Sequence, residues 1–247
     1  MPMLDTNIIP KRIKTELDAA LANGDVWEER SLKPTKDLLV EFLMIAQQSR
    51  CAYCRRLIKD EIGHRELDHV LPKAAAGKAV NATSNLAKYR RTTTGYSQYR
   101  FLPRNLVLTC KRCNHRKGNY DCRANRAKPA GAKYPARAAS FKWIHPYLHD
   151  YNDHITIANE FVFTEVDGSN GDVVIEACNL AGIGSLEARA REHWIRQVKD
   201  PWKLALKLLL RDLPDVEIVD TVLKTFPAVS LVKVKKMVRD NRRNRFF

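Results

Sequence analysis

The 247-residue chain contains no apolar stretch near the ~20 residues that a membrane-spanning helix requires. It is also lean in glycine and proline, with 10 and 11 residues, and has no internal repeat or low-complexity tract. Collagen-like and Gly/Pro-rich disordered classes are thereby excluded. Its first residues, Met-Pro-Met-Leu-Asp, lack the basic-then-apolar order of a secretory signal. The expectation is a cytoplasmic protein with no membrane association. Acidic residues are in deficit: 28 Asp and Glu face 43 Lys and Arg, a formal net charge of +15. That excess points to a polyanionic partner, nucleic acid first. Cysteine is scarce too, six in all, but four stand in two Cys-x-x-Cys pairs. In a reducing compartment such pairs read as metal ligands rather than disulfides. What the chain does have, 45% apolar and 8% aromatic residues, supports one large or two small domains around a true core.

Apolar periodicity predicts a helix over Lys11–Leu21, carried by Ile13, Leu17, Ala20 and Leu21 and stopped at Asn23-Gly24. A second is predicted over Lys36–Gln48, with Leu38, Leu39, Phe42, Leu43 and Ile45 on its inner side. Short turns and strands follow from Cys51 to Lys117, interrupted by a polar insert, Ala74–Gln98, read as a surface excursion. Asp121–Ser140, with Lys128, Pro129, Gly131, Lys133, Pro135 and Arg137, has linker composition. Beyond it, strands are predicted over Ile155–Ile157, Phe161–Val166 and Val173–Ala177, the last two joined through Asp167-Gly168-Ser169-Asn170-Gly171 as a hairpin. The remainder reads as helix over Leu186–Leu213, Val216–Leu223 and Leu231–Asn244.

The strongest chemical signal is Cys51-Ala-Tyr-Cys54 with Cys110-Lys-Arg-Cys113. Four thiolates satisfy the tetrahedral preference of zinc, and each two-residue spacer makes a knuckle that aims both sulfurs at one ion. A closed four-sulfur shell leaves no open position, so this zinc is expected to be structural. Residues 55–109 lie between the pairs, far more than the about 15–20 of a zinc ribbon, which implies a working element inside the clip.

Inside it stand Glu66-Leu67-Asp68-His69-Val70-Leu71-Pro72-Lys73 and Arg104-Asn105-Leu106, and the second knuckle continues into Asn114-His115-Arg116-Lys117-Gly118. Over about Cys51–Asn119 this order resembles the HNH endonuclease family in its four-cysteine form. The resemblance implies an α+β fold: a zinc-stapled ββα-metal (HNH, His-Me finger) nuclease core over 51–127, an N-terminal helical lead over 1–50, and a linker, small hairpin and mainly α-helical C-terminal region over 128–247. It implies metal-dependent phosphodiester hydrolysis, with His69 taking the proton from water, Asp68 and Asn114 holding magnesium or manganese, and Asn105 orienting His69 or its loop. His115, one residue past Asn114, is a competing ligand about 100° further round a helix. His64 reads as a solvated side chain in a polar turn.

Lys73, Arg104, Lys111, Arg112, Arg116 and Lys117 are the expected nucleic-acid contacts, in a basic neighbourhood that also holds Arg90, Arg91, Arg100, Arg123, Arg126, Tyr89, Tyr96 and Tyr99. The C-terminal Lys233, Lys235, Lys236, Arg239, Arg242, Arg243 and Arg245 form a second basic run, read either as another contact or as a solvated helix face. His145, His149 and His154 lie in an aromatic, Pro-containing loop and are expected to make ordinary hydrogen bonds rather than bind a second metal. Cys122 and Cys178 read as small apolar side chains. The loop His145-Pro146-Tyr147, the Gly-Asp hairpin, Cys178-Asn179-Leu180 and a helix with Glu187, Arg189 and Arg191 also resemble, more loosely, HNH proteins of Septu- and retron-type anti-phage systems. That likeness implies a defence effector with an ATPase partner. Two rival readings stay open: a toxin-like nuclease acting on tRNA or other RNA, and a non-catalytic zinc-finger adaptor. Leu204, Leu206, Leu208, Leu209 and Leu210 are either a partner surface or ordinary core.

Overall fold

The computed structural model describes every residue except 1, 2, 6, 8, 59–63, 78–89, 159–160, 183–185, 187–189, 191–199, 212 and 244–247. Tyr89, Glu187, Arg189, Arg191 and Arg245 therefore lie outside the described residues, as does the side chain of Arg243. The chain divides into two compact units, Met1–Ala158 with Val162–Gly182, and Asn159–Phe161 with Ile183–Phe247. Phe141, Trp143, Tyr147 and Tyr151 are buried in the same core as the four knuckle cysteines.

The first unit opens with α1 (Lys11–Ala22), which buries Ile13, Leu17 and Ala20. Helix α2 (Lys33–Ala46) buries Leu39 and Leu43. Ile45, expected on the inner side, is 77% exposed. It lies six residues past Leu39, about 240° round the helix from the buried stripe. Strand β1 (Arg65–His69) pairs antiparallel with β2 (Leu106–Cys110), Asp68 opposite Val107 and His69 opposite Leu106. Helix α3 (Lys111–Lys117) follows β2 directly. Buried Gln47, just past α2, locks that helix to the hairpin: its amide donates to Leu108 O (2.8 Å) and accepts from Leu108 N (2.9 Å).

The predicted hairpin is displaced. Strand β3 (Ile155–Ala158) pairs with β4 (Val162–Glu165), while the expected strand 173–177 is a helix, α4 (Gly171–Ala177). Val173, Val174 and Ile175 are β-branched and favour strand locally, but Gly171, Val174 and Cys178 form a buried stripe at helical spacing. The Ala74–Gln98 insert also departs from expectation where it is described. Arg90, Thr93 and Tyr96 are buried around Asp121, whose carboxylate accepts from Tyr96 Oη (2.6 Å), Thr93 Oγ1 (3.2 Å) and Arg126 Nε (3.3 Å). Backbone bonds between Ala76 and Thr93, 2.9 and 3.0 Å, close the insert at its base.

The second unit has its own core, which among the described residues is built from three helices. Helix α5 (Pro201–Leu210) starts at a capping Asp200, which accepts from Trp202 N (2.8 Å) and Lys203 N (3.1 Å), with proline at the first turn. Leu204, Leu208 and Leu209 of α5 pack with Ile218 and Val222 of α6 (Asp215–Thr225) and Val234 and Val238 of α7 (Leu231–Arg243). Three of the five flagged leucines are thus core, whereas Leu206 and Leu210 are exposed. No helix among the described residues is long and apolar enough to cross a membrane.

Candidate metal centre and active site

The Cys51, Cys54, Cys110 and Cys113 sulfurs lie within 4.8 Å of one another and are buried. A tetrahedron with zinc–sulfur arms of ~2.3 Å has edges of roughly 3.8 Å, and Cys54 Sγ and Cys110 Sγ stand 3.8 Å apart. The four thiols could therefore hold one metal ion, and structural zinc fits them. The knuckle forms because Arg55 N returns to Cys51 O (3.0 Å) with Arg55 at positive φ, while Ala52 N bonds Leu108 O across to β2 (3.0 Å). Burial pushes the Cys51 thiol up, while hydrogen bonds from Cys113, Cys51 and Cys54 pull Cys110 far down. A shared negative charge in a buried cluster is the condition that a dication relieves by releasing the remaining protons. Cys178, expected to act as a small apolar side chain, is buried in the same core as the four cysteines.

Alternation along β1 sends Glu66 and Asp68 to one face and His69 to the other. On the first face, Asn114 and Lys117 of α3, three residues apart, make two rungs. Asn114 Nδ2 donates to Glu66 Oε2 (2.6 Å), and Lys117 Nζ reaches Asp68 Oδ1 (3.2 Å) and Oδ2 (3.1 Å) and His69 O (2.7 Å). Tyr53 Oη donates to Asp68 Oδ2 (2.6 Å). Burial, then the charge of Asp68, lifts the Tyr53 phenol well above its ordinary value, so it stays a donor. Asp68 and Asn114 consequently answer to different partners. Lys117, expected to face phosphate, is wholly buried. Its ammonium is spent on Asp68, the carboxylate that would otherwise be left charged and unpaired.

His69 is 6% exposed, its ring set edge-on to Trp27 with centroids 4.5 Å apart. Nε2 lies 2.9 Å from Arg100 O. A carbonyl only accepts, so Nε2 carries the proton and Nδ1 keeps the lone pair. Burial lowers the His69 pKa to about 4, so the ring is neutral at physiological pH. Asn105, at the start of β2, ties the segment after His69. Its Oδ1 accepts from Leu71 N (2.7 Å), its Nδ2 donates to Leu71 O (3.0 Å) and Tyr99 O (3.2 Å), and its O accepts from Val70 N (2.8 Å). Gly95 sits at φ +75°, where a Cβ would lie 2.3 Å from Ala74 C, so the chain beyond this loop turns closely over it.

Of the expected nucleic-acid contacts, Arg104, Lys111 and Arg116 are exposed, while Arg112 is half-buried. Lys73 is ion-paired with Glu28. Arg90 and Arg126 are buried and hydrogen-bonded, and Tyr96 and Tyr99 are core residues rather than stacking surfaces. In α7, Lys233, Lys235, Lys236 and Arg239 are exposed, whereas Arg242 pairs with Asp215. The histidine loop makes ordinary bonds: His149 Nδ1 accepts from His145 N (2.9 Å), and His154 Nδ1 accepts from Asn170 N (3.2 Å). His115 is exposed on α3 and Asn114 is half-buried.

No protein-family profile matches this chain, and no curated protein matches it.

Proposed function

We propose that this chain is an endonuclease of the HNH type that hydrolyses phosphodiester bonds in DNA, with His69 Nδ1 taking the proton from the attacking water. The observation that carries the reading is the His69 imidazole, held by Nε2 on Arg100 O with the lone pair left on its second nitrogen, beside a β1–β2–α3 unit that carries the four-cysteine cluster. Exposed Arg104, Lys111 and Arg116 supply cations for phosphate. Structural zinc in the four-cysteine site belongs to the same proposal. Magnesium or manganese at Asp68 would have to displace the Lys117 ammonium, and no step is assigned to such an ion. The anti-phage role and the ATPase partner extend the proposal on sequence resemblance alone, and the second strand of the hairpin that likeness used is a helix.

The deciding experiment compares wild type with His69→Ala on supercoiled plasmid and on a matched RNA, in magnesium, manganese and EDTA, with zinc content verified in both proteins. Wild type is expected to convert plasmid to open circle, and His69→Ala to lose about 10²–10⁴-fold in rate. Cleavage of RNA alone selects the toxin-like reading. The Lys117–Asp68 ion pair favours a second possibility, a zinc-stapled nucleic-acid adaptor, because it fills the place of a catalytic cation. Zinc-loaded, DNA-binding protein that never cuts would establish that alternative.

A further inference from the structure

His145 is wholly buried and lies outside the segment that resembles the nuclease core, yet its hydrogen bonds lead there. Tyr134 Oη is 2.8 Å from His145 Nε2 and 3.1 Å from Asn105 Oδ1. The proton positions follow from valence. Asn105 Nδ2 is spent on Leu71 O and Tyr99 O, so Oδ1 is the acceptor that faces Tyr134. The single phenol proton therefore goes to Asn105, and the phenol oxygen must accept from His145 Nε2–H. At the far side of the ring, His145 Nδ1 accepts from Tyr147 N (3.2 Å). Every bond in the chain then runs one way, from Tyr147 N–H through His145 and Tyr134 to Asn105. Buried networks of this kind, fully satisfied, hold one geometry.

The rings are held independently. Tyr134 packs edge-on to Tyr99 with centroids 5.1 Å apart, and His145 lies 4.4 Å from the Phe141 ring. Asn105 grips both the N–H and the C=O of Leu71, two residues after His69, and Tyr99 O, next to the Arg100 carbonyl that holds the imidazole. We propose that Tyr134 and His145 are positioning residues for His69: through Asn105 they hold both the backbone that follows the imidazole and the carbonyl that fixes its tautomer. The proposal rests on the reading of His69 as the base. Burial also drives the His145 pKa down to about 3, which keeps the ring in the neutral form that the chain of bonds requires.

The test uses the full chain, histidine-labelled for nitrogen NMR, as wild type, Tyr134→Phe, His145→Gln and His145→Leu. Tyr134→Phe keeps the ring packing and removes the one proton that Asn105 receives. Expected are unchanged zinc stoichiometry, a His69 nitrogen pattern shifted away from pure Nε2–H, and a kcat on plasmid about ten- to a hundred-fold lower at unchanged KM. His145→Gln, which keeps a donor and an acceptor, is expected to retain more of the wild-type pattern than His145→Leu. Wild-type His69 resonances in both Tyr134→Phe and His145→Leu would overturn the proposal. If Tyr134→Phe fails to fold, the two His145 variants decide by the same readout. If the wild type never cuts, the reading of His69 as a base falls, while the NMR comparison still decides whether Tyr134 and His145 position its ring.

Discussion

His69 and His145 are each kept neutral by burial, with pKa values lowered from an ordinary 6.5 to about 4 and about 3. The unfolded chain takes up protons below pH 6.5 that the folded chain refuses. Stability from these residues is therefore complete above pH 6.5 and is lost as pH falls towards 4 and then 3, by up to about 3–5 kcal/mol for each. Urea unfolding at pH 7.5, 5.5 and 4.5 is expected to show a falling midpoint, with a shallower fall in His145→Gln, which cannot titrate. A midpoint indifferent to pH over this range would refute the burial of both rings. In the nuclease reading the same depression puts the acidic limb of the rate profile near pH 4 rather than 6.5.

At the scale of elements, α3 is joined to β1 by two polar rungs rather than by apolar side chains, and the Lys117–Asp68 rung is wholly enclosed. Replacing Lys117 with Met leaves a buried carboxylate with only Tyr53 as its donor. The expected cost is about 3–5 kcal/mol by chemical denaturation, with a large part returned in the double variant Lys117→Met/Asp68→Leu. A loss below about 1 kcal/mol would mean that water reaches the pair. This rung also marks the limit of what the sequence discloses. The knuckles, α1 and α2 follow from local spacing and periodicity and lie close to where those patterns place them, whereas the order of two strands and a helix is expected from the family resemblance alone. Lys117 reads as a surface cation because its partner is 49 residues upstream. Tyr134 sits in a stretch of linker composition and His145 in the aromatic loop beyond it, and nothing local says that they reach Asn105. Residues 173–177 mislead for the converse reason: their local preference is for strand, and tertiary burial of Val174 and Ala177 overrides it.

For the whole molecule, the two units have separate cores, and the four cysteines belong entirely to the first. Zinc bound by such sites is worth about 10–16 kcal/mol, comparable with or larger than the roughly 5–15 kcal/mol of a typical domain. Chelation is thus expected to melt the first unit and leave the α5–α7 helices folded. Calorimetry should resolve two transitions, of which chelator or Cys113→Ser removes one. A single transition that chelation leaves in place would refute both the metal site and the independence of the cores. The basic surface is likewise divided, between Arg104, Lys111 and Arg116 in one unit and Lys233, Lys235, Lys236 and Arg239 in the other.

The Ala76–Thr93 backbone pair has a consequence for how this chain can vary. Because that pair and the Asp121 cluster shut the insert at its base, its two ends are fixed before the intervening residues have any say. Doubling the length of a closed loop costs only about 0.6 kcal/mol. Thr93, Tyr96 and Asp121 are thus held by bonds of their own, so a change in the length of chain joining Gly77 to Arg90 is expected to leave the surroundings of His69 as they are.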